Sequence, residues 1–190
     1  MKLITKRLIL RPVDKKDASD VVENVNNINV SKYLAVVPYP YSKKNAYSWI
    51  TRKKKNNDFS FVIAQKKDNR VIGAIGLHKL DNDVKKAEIG YWLGEKHWGN
   101  HIMSEAVDAI LKLGFNKLKL NRIDAKVFAE NTPSAKLLLK FGFQKEGYLK
   151  QSGYSKAANK VYDDVVYALL KSEYKKFKVK QQMYPKKKAK

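Results

Sequence analysis

The chain has no cysteine among its 190 residues. That excludes disulfides, thiolate zinc sites and a cysteine nucleophile. Histidine is nearly as scarce, with only His78, His97 and His101, so a histidine-rich metal centre is excluded and no metal is expected. Arginine is rare within a very basic composition: Arg7, Arg11, Arg52, Arg70 and Arg122 stand among 40 basic residues. Nucleic-acid readers concentrate arginine on one face, so the lysine excess reads first as compositional bias. No apolar run approaches the length of a bilayer span. The start, Met-Lys-Leu-Ile-Thr-Lys-Arg, has neither an apolar h-region nor a small-residue cleavage site behind it. A cytoplasmic location and no membrane partner are the expectation.

What is present fits one domain. Hydrophobic residues make up 44%, the ordinary level for a globular chain long enough to bury a core. A net charge of +22 attracts polyanions: nucleic acid, acidic proteins, or the phosphates of a cofactor. Lys171 to Lys190 holds a single acidic residue, Glu173, and reads as a helix end fraying into a solvated tail or as an anionic-surface tether. The expected division is a domain over 1–175 and a basic tail over 176–190, in a monomer or a homodimer.

The residue pattern predicts a mixed α/β fold. Arg7–Pro12 reads as an edge strand ended by proline. Asp14–Val25 reads as a helix opened by an acidic cap, and Ser42 caps a second helix towards Lys55. A meander follows over Phe59–Gln65, Val71–Leu77 and Val84–Leu93, turning at Asp68-Asn69 and Asp81-Asn82-Asp83. Ile102, Ala106, Ile110 and Leu113 then recur at helical spacing, predicting a helix over Asn100–Lys117. Ile123, Ala125 and Val127 alternate as a buried strand. Asn131-Thr132-Pro133 offers a capping hydroxyl with proline at the first helical position, and Gly142 stops that helix. Phe143–Leu149 and Tyr162–Leu170 read as the final strands. A mostly antiparallel sheet with helices on both faces is expected.

The chemistry gathers where strand 84–93 meets the next helix. A strand feeding a helix through a glycine loop offers N–H groups and a favourable dipole to an anion. The residues are Trp92-Leu93-Gly94-Glu95-Lys96-His97-Trp98-Gly99-Asn100-His101-Ile102-Met103-Ser104-Glu105-Ala106. Alone, two glycines in such a loop do not separate an anion site from an ordinary connection. The segment resembles the acetyl-CoA pyrophosphate loop of the GNAT (GCN5-related N-acetyltransferase) superfamily, in the branch that acetylates ribosomal-protein N-termini. Thr5–Pro12 resembles that branch's opening strand and Ala87–Leu93 its fourth strand. Asn131–Ala135 through Lys140–Gly147 resembles its second cofactor helix and the strand after it. The blocks fall in family order over roughly residues 5 to 170.

The resemblance implies a GNAT acyl-CoA N-acyltransferase fold and acetyl transfer from acetyl-CoA directly to a primary amine, without a covalent enzyme intermediate. A protein N-terminal α-amine is the expected acceptor. An α-amine with pKa of about 8 is partly neutral at pH 7, whereas a lysine at about 10.4 is almost wholly protonated. The implied cofactor residues are Leu93, Gly94, Trp98, Gly99, Asn100, His101, Ile102, Met103, Ser104, Asn131 and Ser134. Leu93 and Gly94 are the expected backbone donors to the thioester carbonyl. Glu88 matches the position of a general base, with a strand carboxylate paired to a lysine as its plain alternative. Ser134 matches the serine that protonates the leaving thiolate, with a helix-end serine bonded to backbone as its alternative.

Departures from the family pattern carry their own expectations. His101 stands where the helix-opening signature has glycine, on Trp98, His101 and Met103. In a left-handed conformation it costs about 1–2 kcal/mol. A lost charge-assisted bond to phosphate adds roughly 1.5–3 kcal/mol, so weakened cofactor affinity is expected. Leu138 occupies the place of a frequent tyrosine acid. Ser152 and Gly153 follow Lys150-Gln151 where the branch has a second glutamate. His78 and His97 are read as surface or loop residues. A second reading follows from the same departures: a catalytically weakened GNAT-fold module binding RNA or ribosomes through its charge.

Overall fold

The computed structural model describes residues 1–55 and 59–183. A single eight-stranded sheet runs through the molecule in the order β1-β2-β3-β4-β5-β6-β8-β7. The strands are β1 (Leu3–Ile4), β2 (Leu8–Arg11), β3 (Phe59–Gln65), β4 (Val71–Asp81), β5 (Lys86–Leu93), β6 (Arg122–Phe128), β7 (Gln144–Ser155) and β8 (Lys160–Leu170). The helices are α1 (Ala18–Val25), α2 (Ile28–Ser31), α3 (Lys43–Lys55), α4 (Ile102–Lys112), α5 (Thr132–Lys140) and α6 (Lys171–Met183). Every neighbouring pair is antiparallel except β5 and β6, which run parallel. The expected mixed sheet is therefore present.

Helices cover both faces because each strand sends alternate residues to opposite sides. One face buries Ile75, Leu77, Ile89, Ile123 and Leu169 against Ala106, Val107, Ile110 and Leu111 of α4 and Leu138 of α5. The other buries Val62 and Val71 against Val21 and Val25 of α1 and Ala46 and Ile50 of α3, with Trp92 packed at the margin. An eleven-residue helix such as α4 is too short to persist alone in water. Full burial of Ile110 and Leu111, at roughly 1.5–3 kcal/mol per side chain, holds it in place.

Several boundaries differ from the sequence pattern for local reasons. Asp14 caps a tight turn over Lys15–Asp17, and α1 proper starts only at Ala18. Helix α4 widens into a π-turn over Leu113–Lys117, where Leu118 N–H reaches Leu113 O at 2.9 Å. Strands β7 and β8 extend beyond the expected 143–149 and 162–170 into a hairpin. Its outer strand exposes Tyr148, Leu149 and Tyr154, so no apolar alternation announced it. The helix α2 and the two-residue strand β1 were likewise unannounced. The expected tail boundary at 175/176 falls inside α6, and residues 184–190 lie outside the described residues.

Candidate active site

Strands β5 and β6 pair only at Lys86↔Arg122, Ala87↔Ile123 and Glu88↔Asp124. Beyond that point β5 stays bonded to β4 as far as Gly73↔Leu93, while β6 follows β8 as far as Phe128↔Asp164. A wedge therefore opens between the two strands from Ile89 onward. Gly94 donates its N–H to Ile72 O at 2.9 Å, on the β4 side. Since successive residues direct their backbone groups to opposite neighbours, Ile89, Tyr91 and Leu93 direct theirs into the wedge. Of the two expected carbonyl donors, Leu93 faces the opening. Gly94 does not, because its N–H is already spent on Ile72. Its glycine identity has another cause: a Cβ there would lie 1.9 Å from Asn24 Oδ1.

The loop that follows is held from both ends. His97 and Trp98 donate to Gly94 O and Glu95 O, each at 3.0 Å, and Trp98 Nε1 donates to Leu93 O at 2.8 Å. Glu95 accepts from Asn27 Nδ2 at 2.6 Å and Asn29 Nδ2 at 3.0 Å. Arg7 reaches Asn100 O at 3.0 Å and, with its backbone N–H and Nε, Glu105 at 2.7 Å. Burial would raise the Glu105 carboxyl, but the bonds from Thr5 and Arg7 outweigh it and hold it below the ordinary value. Gly99 and His101 both adopt positive φ, at 75° and 57°. His101 is the exposed residue that precedes α4, with ψ of 17°. The first backbone bond into α4 runs from Glu105 N–H to His101 O. The N–H groups of Ile102, Met103 and Ser104 are thus the free donors of a helix start, which suits an anion. Lys140, at the end of α5, stands beside them with Nζ 3.5 Å from Ser104 Oγ.

The sequence profile of the acetyltransferase (GNAT) domain matches residues 7–144. The chain belongs to the GNAT acetyltransferase family. It is 38% identical over 177 residues to the uncharacterized N-acetyltransferase p20 of Bacillus licheniformis, covering 90% of this chain and 97% of that protein. It is 37% identical over 99 residues to the ribosomal-protein-serine acetyltransferase of Escherichia coli, covering 52% and 54%. Among solved structures, a GNAT-family acetyltransferase from Bacillus anthracis aligns with a TM-score of 0.79 at 30% identity, over 91% of this chain and all of that one. The protein is accordingly an acetyl-CoA-dependent N-acetyltransferase.

In this acetyltransferase, Glu88 and Ser134 lie on opposite sides of β5. Glu88 is on the face shared with α1 and α3, half-buried, with Lys79 Nζ at 2.8 Å. It is thus a strand carboxylate paired to a lysine, placed at the apex of the wedge. Asp124 is its register partner on β6 and puts a second carboxylate there, bonded to Arg122. On its other side Glu88 pairs with His78 of β4. His78 is thus a strand residue beside the candidate base rather than a loop residue, with Nδ1 3.4 Å from both Ser60 Oγ and Lys53 Nζ. Asp124 was not singled out in the sequence and His78 was read only as a surface or loop residue, since their meeting with Glu88 depends on strand register.

Ser134 is in the first turn of α5. The helix is capped by Asn131, whose Oδ1 accepts from Ser134 N–H at 3.3 Å. The cap is thus the asparagine amide rather than the threonine hydroxyl. Ser134 Oγ lies 2.8 Å from Tyr91 OH. A tyrosine within the apolar face of Ile89 and Leu93 was the available signal, since a buried phenol needs a partner. Leu138 is fully buried in the core and has no part in the wedge. At the position of the missing second glutamate, Ser152 Oγ donates to the buried carboxylate of Asp164, which Lys126 also reaches at 2.8 Å.

The segment after α2 is tied to the loop after β6 and to the β7–β8 turn. Tyr33 OH donates to Glu130 O at 3.5 Å, and Lys156 N–H from the β7–β8 turn donates to Ala35 O at 3.3 Å. Tyr39 is exposed and Tyr41 is buried, and burial pushes the Tyr41 phenol up to about 12. Among the described residues, no helix is long and apolar enough to cross a membrane.

Proposed function

We propose that this acetyltransferase moves the acetyl group of acetyl-CoA directly to a protein N-terminal α-amine. The observation that carries the reading is the wedge itself. A carboxylate and a hydroxyl stand on its two faces, Glu88 on one and Ser134 on the other, with backbone N–H groups between, which suits a base and a proton donor. Direct aminolysis needs a neutral amine, a polarised carbonyl and a proton for the departing sulfur.

The residues fit the cofactor part by part. The free N–H groups of Ile102, Met103 and Ser104 face the pyrophosphate, with Gly99 giving close approach and Lys140 adding charge. Trp98 fixes the strand end through Leu93 O. The wedge takes the pantetheine arm beside Asn131. Bound acetyl-CoA supplies the thioester. Leu93 N–H bonds its carbonyl oxygen, Glu88 takes the proton released by the attacking nitrogen, and Ser134 gives one to the sulfur. His101 is the one residue that opposes this fit. An exposed side chain next to the first N–H groups of α4 would crowd a phosphate bound there.

The acceptor assignment draws on the carboxylates at the apex and on the charge of the chain. Glu88 and Asp124, paired with Lys79 and Arg122, still offer carboxylate oxygens at the apex that can accept from an ammonium group. A net charge of +22 repels a polycation such as a free polyamine. The test offers two peptides with acetyl-CoA and locates the added acetyl group by mass spectrometry. One peptide has a free α-amine and no lysine; the other is blocked at its N-terminus and carries lysine. Acetylation of the first is expected. Acetylation of only the second would refute the α-amine assignment.

A further inference from the structure

A serine hydroxyl is a weak acid for protonating a thiolate, and Leu138 withdraws the phenol that the second cofactor helix often supplies. The structure places another phenol beside Ser134 from a different element. Tyr91 lies on β5 between Ile89 and Leu93, whose backbone groups face the wedge. Its OH is 2.8 Å from Ser134 Oγ. Burial pushes this phenol up to about 12, although the Ser134 bond works against the rise. It therefore keeps its proton at neutral pH; the contact suits either hydroxyl as donor, and the greater acidity of a phenol favours Tyr91.

We infer that Tyr91 is a positioning residue for the leaving group, donating to Ser134 Oγ and turning the serine's own hydrogen into the wedge. The inference rests on the acetyl-transfer reading and deepens it. As the carbon–sulfur bond breaks, its electron pair goes to sulfur. The Ser134 proton moves to that sulfur and the Tyr91 proton moves to Ser134. Glu88 sheds the proton taken from the nitrogen to solvent, and solvent returns one to the phenol. Nothing is oxidised or reduced. Without the phenol, the serine hydrogen has no fixed direction, and the couple loses its chain of donors.

The couple should act on the thiolate of free CoA as well, so the test needs no acceptor. The probes are CoA and desulfo-CoA, titrated calorimetrically between about pH 6.5 and about pH 9.5, a range that brackets a thiol of pKa about 8.5. A donor aimed at sulfur favours the ionised form and lowers the bound thiol's pKa. CoA should therefore gain on desulfo-CoA as pH rises, by about tenfold for each unit of lowering. Tyr91→Phe keeps the ring and its packing. It should lose most of that gain while desulfo-CoA affinity stays as in the wild type and the thermal midpoint falls by no more than about 6 °C for the one lost hydrogen bond. Ser134→Ala should lose it too, and the double variant should be no worse than Ser134→Ala alone. A Tyr91→Phe profile that overlays the wild type overturns the inference and leaves the acetyltransferase reading intact. Failure of the wild type to bind either probe overturns both.

Discussion

His101→Gly tests the least orthodox residue of the cofactor loop, and it should change stability and affinity in the same direction. His101 holds φ 57° and ψ 17° immediately before α4. A non-glycine residue there costs about 1–2 kcal/mol. Glycine removes that strain but gives back roughly 0.5–1 kcal/mol in backbone entropy. The net gain should be about 0.5–1 kcal/mol, which in a domain of this size raises the thermal midpoint by about 1–4 °C. Binding should improve by more. Removing the imidazole opens the N–H groups that begin α4, and one recovered charge-assisted bond contributes roughly 1.5–3 kcal/mol. That corresponds to about one to two decades in the Kd of acetyl-CoA. Calorimetry and thermal melts read the two effects. His101→Ala separates them, since it clears the side chain and keeps the strained conformation. It should bind acetyl-CoA more tightly than the wild type without being more stable. If His101→Gly binds acetyl-CoA no more tightly, the steric argument is wrong.

Three other substitutions probe the account elsewhere. Glu88→Gln should lower kcat by about a hundred- to ten-thousandfold at saturating acetyl-CoA and leave the calorimetric Kd of acetyl-CoA within twofold, whereas unchanged turnover would remove the base role. Asp17→Asn breaks a buried pair in which Arg11 donates to both Asp17 oxygens, at 2.8 and 2.9 Å, and which leaves the two residues only 8% and 4% exposed. It should cost about 3–5 kcal/mol in denaturant unfolding, and a loss below 1 kcal/mol, in the ordinary range of an exposed pair, would show that Arg11 finds other partners. Glu105→Gln tests the clamp from Thr5 and Arg7. The Glu105 carboxyl is depressed in the folded state relative to an ordinary 4.5, so its contribution is complete above about that pH and is lost as pH falls through the lower folded value. The melting difference between variant and wild type should be largest at neutral pH and close in strong acid; a difference that does not change with pH would assign the effect to packing.

Much of the fold was legible because local pattern and tertiary role coincide. The period change after Leu93 marked α4, and Asn131 with Pro133 marked α5, since both helices bury one apolar stripe. The long β7–β8 hairpin was not legible, because its outer strand is exposed and carries no alternation. The site divides in the same way. Gly99, His101, Glu88 and Ser134 were candidates from ordered motif blocks. Asp124 and His78 became neighbours of Glu88 only through strand register, which no local spacing encodes. Tyr91 was seen as a strand residue, but its bond to Ser134 needed the sheet and α5 brought together. Gly94 shows the converse. Its place in the motif suggested a donor, while its N–H turns to Ile72 and its missing Cβ makes room for Asn24.

The central claim is that loop and wedge together hold acetyl-CoA, with the loop meeting the pyrophosphate and the wedge taking the acetyl-pantetheine arm. Calorimetric titration of the wild-type protein at near-physiological salt, with ADP as the control, tests it most directly. ADP can engage only the loop and the general positive field, whereas acetyl-CoA also fills the wedge. Acetyl-CoA should bind at least about tenfold more tightly than ADP, a difference of about 1.4 kcal/mol. Equal affinities would mean that the chain holds polyphosphates by charge alone, and would contradict the account.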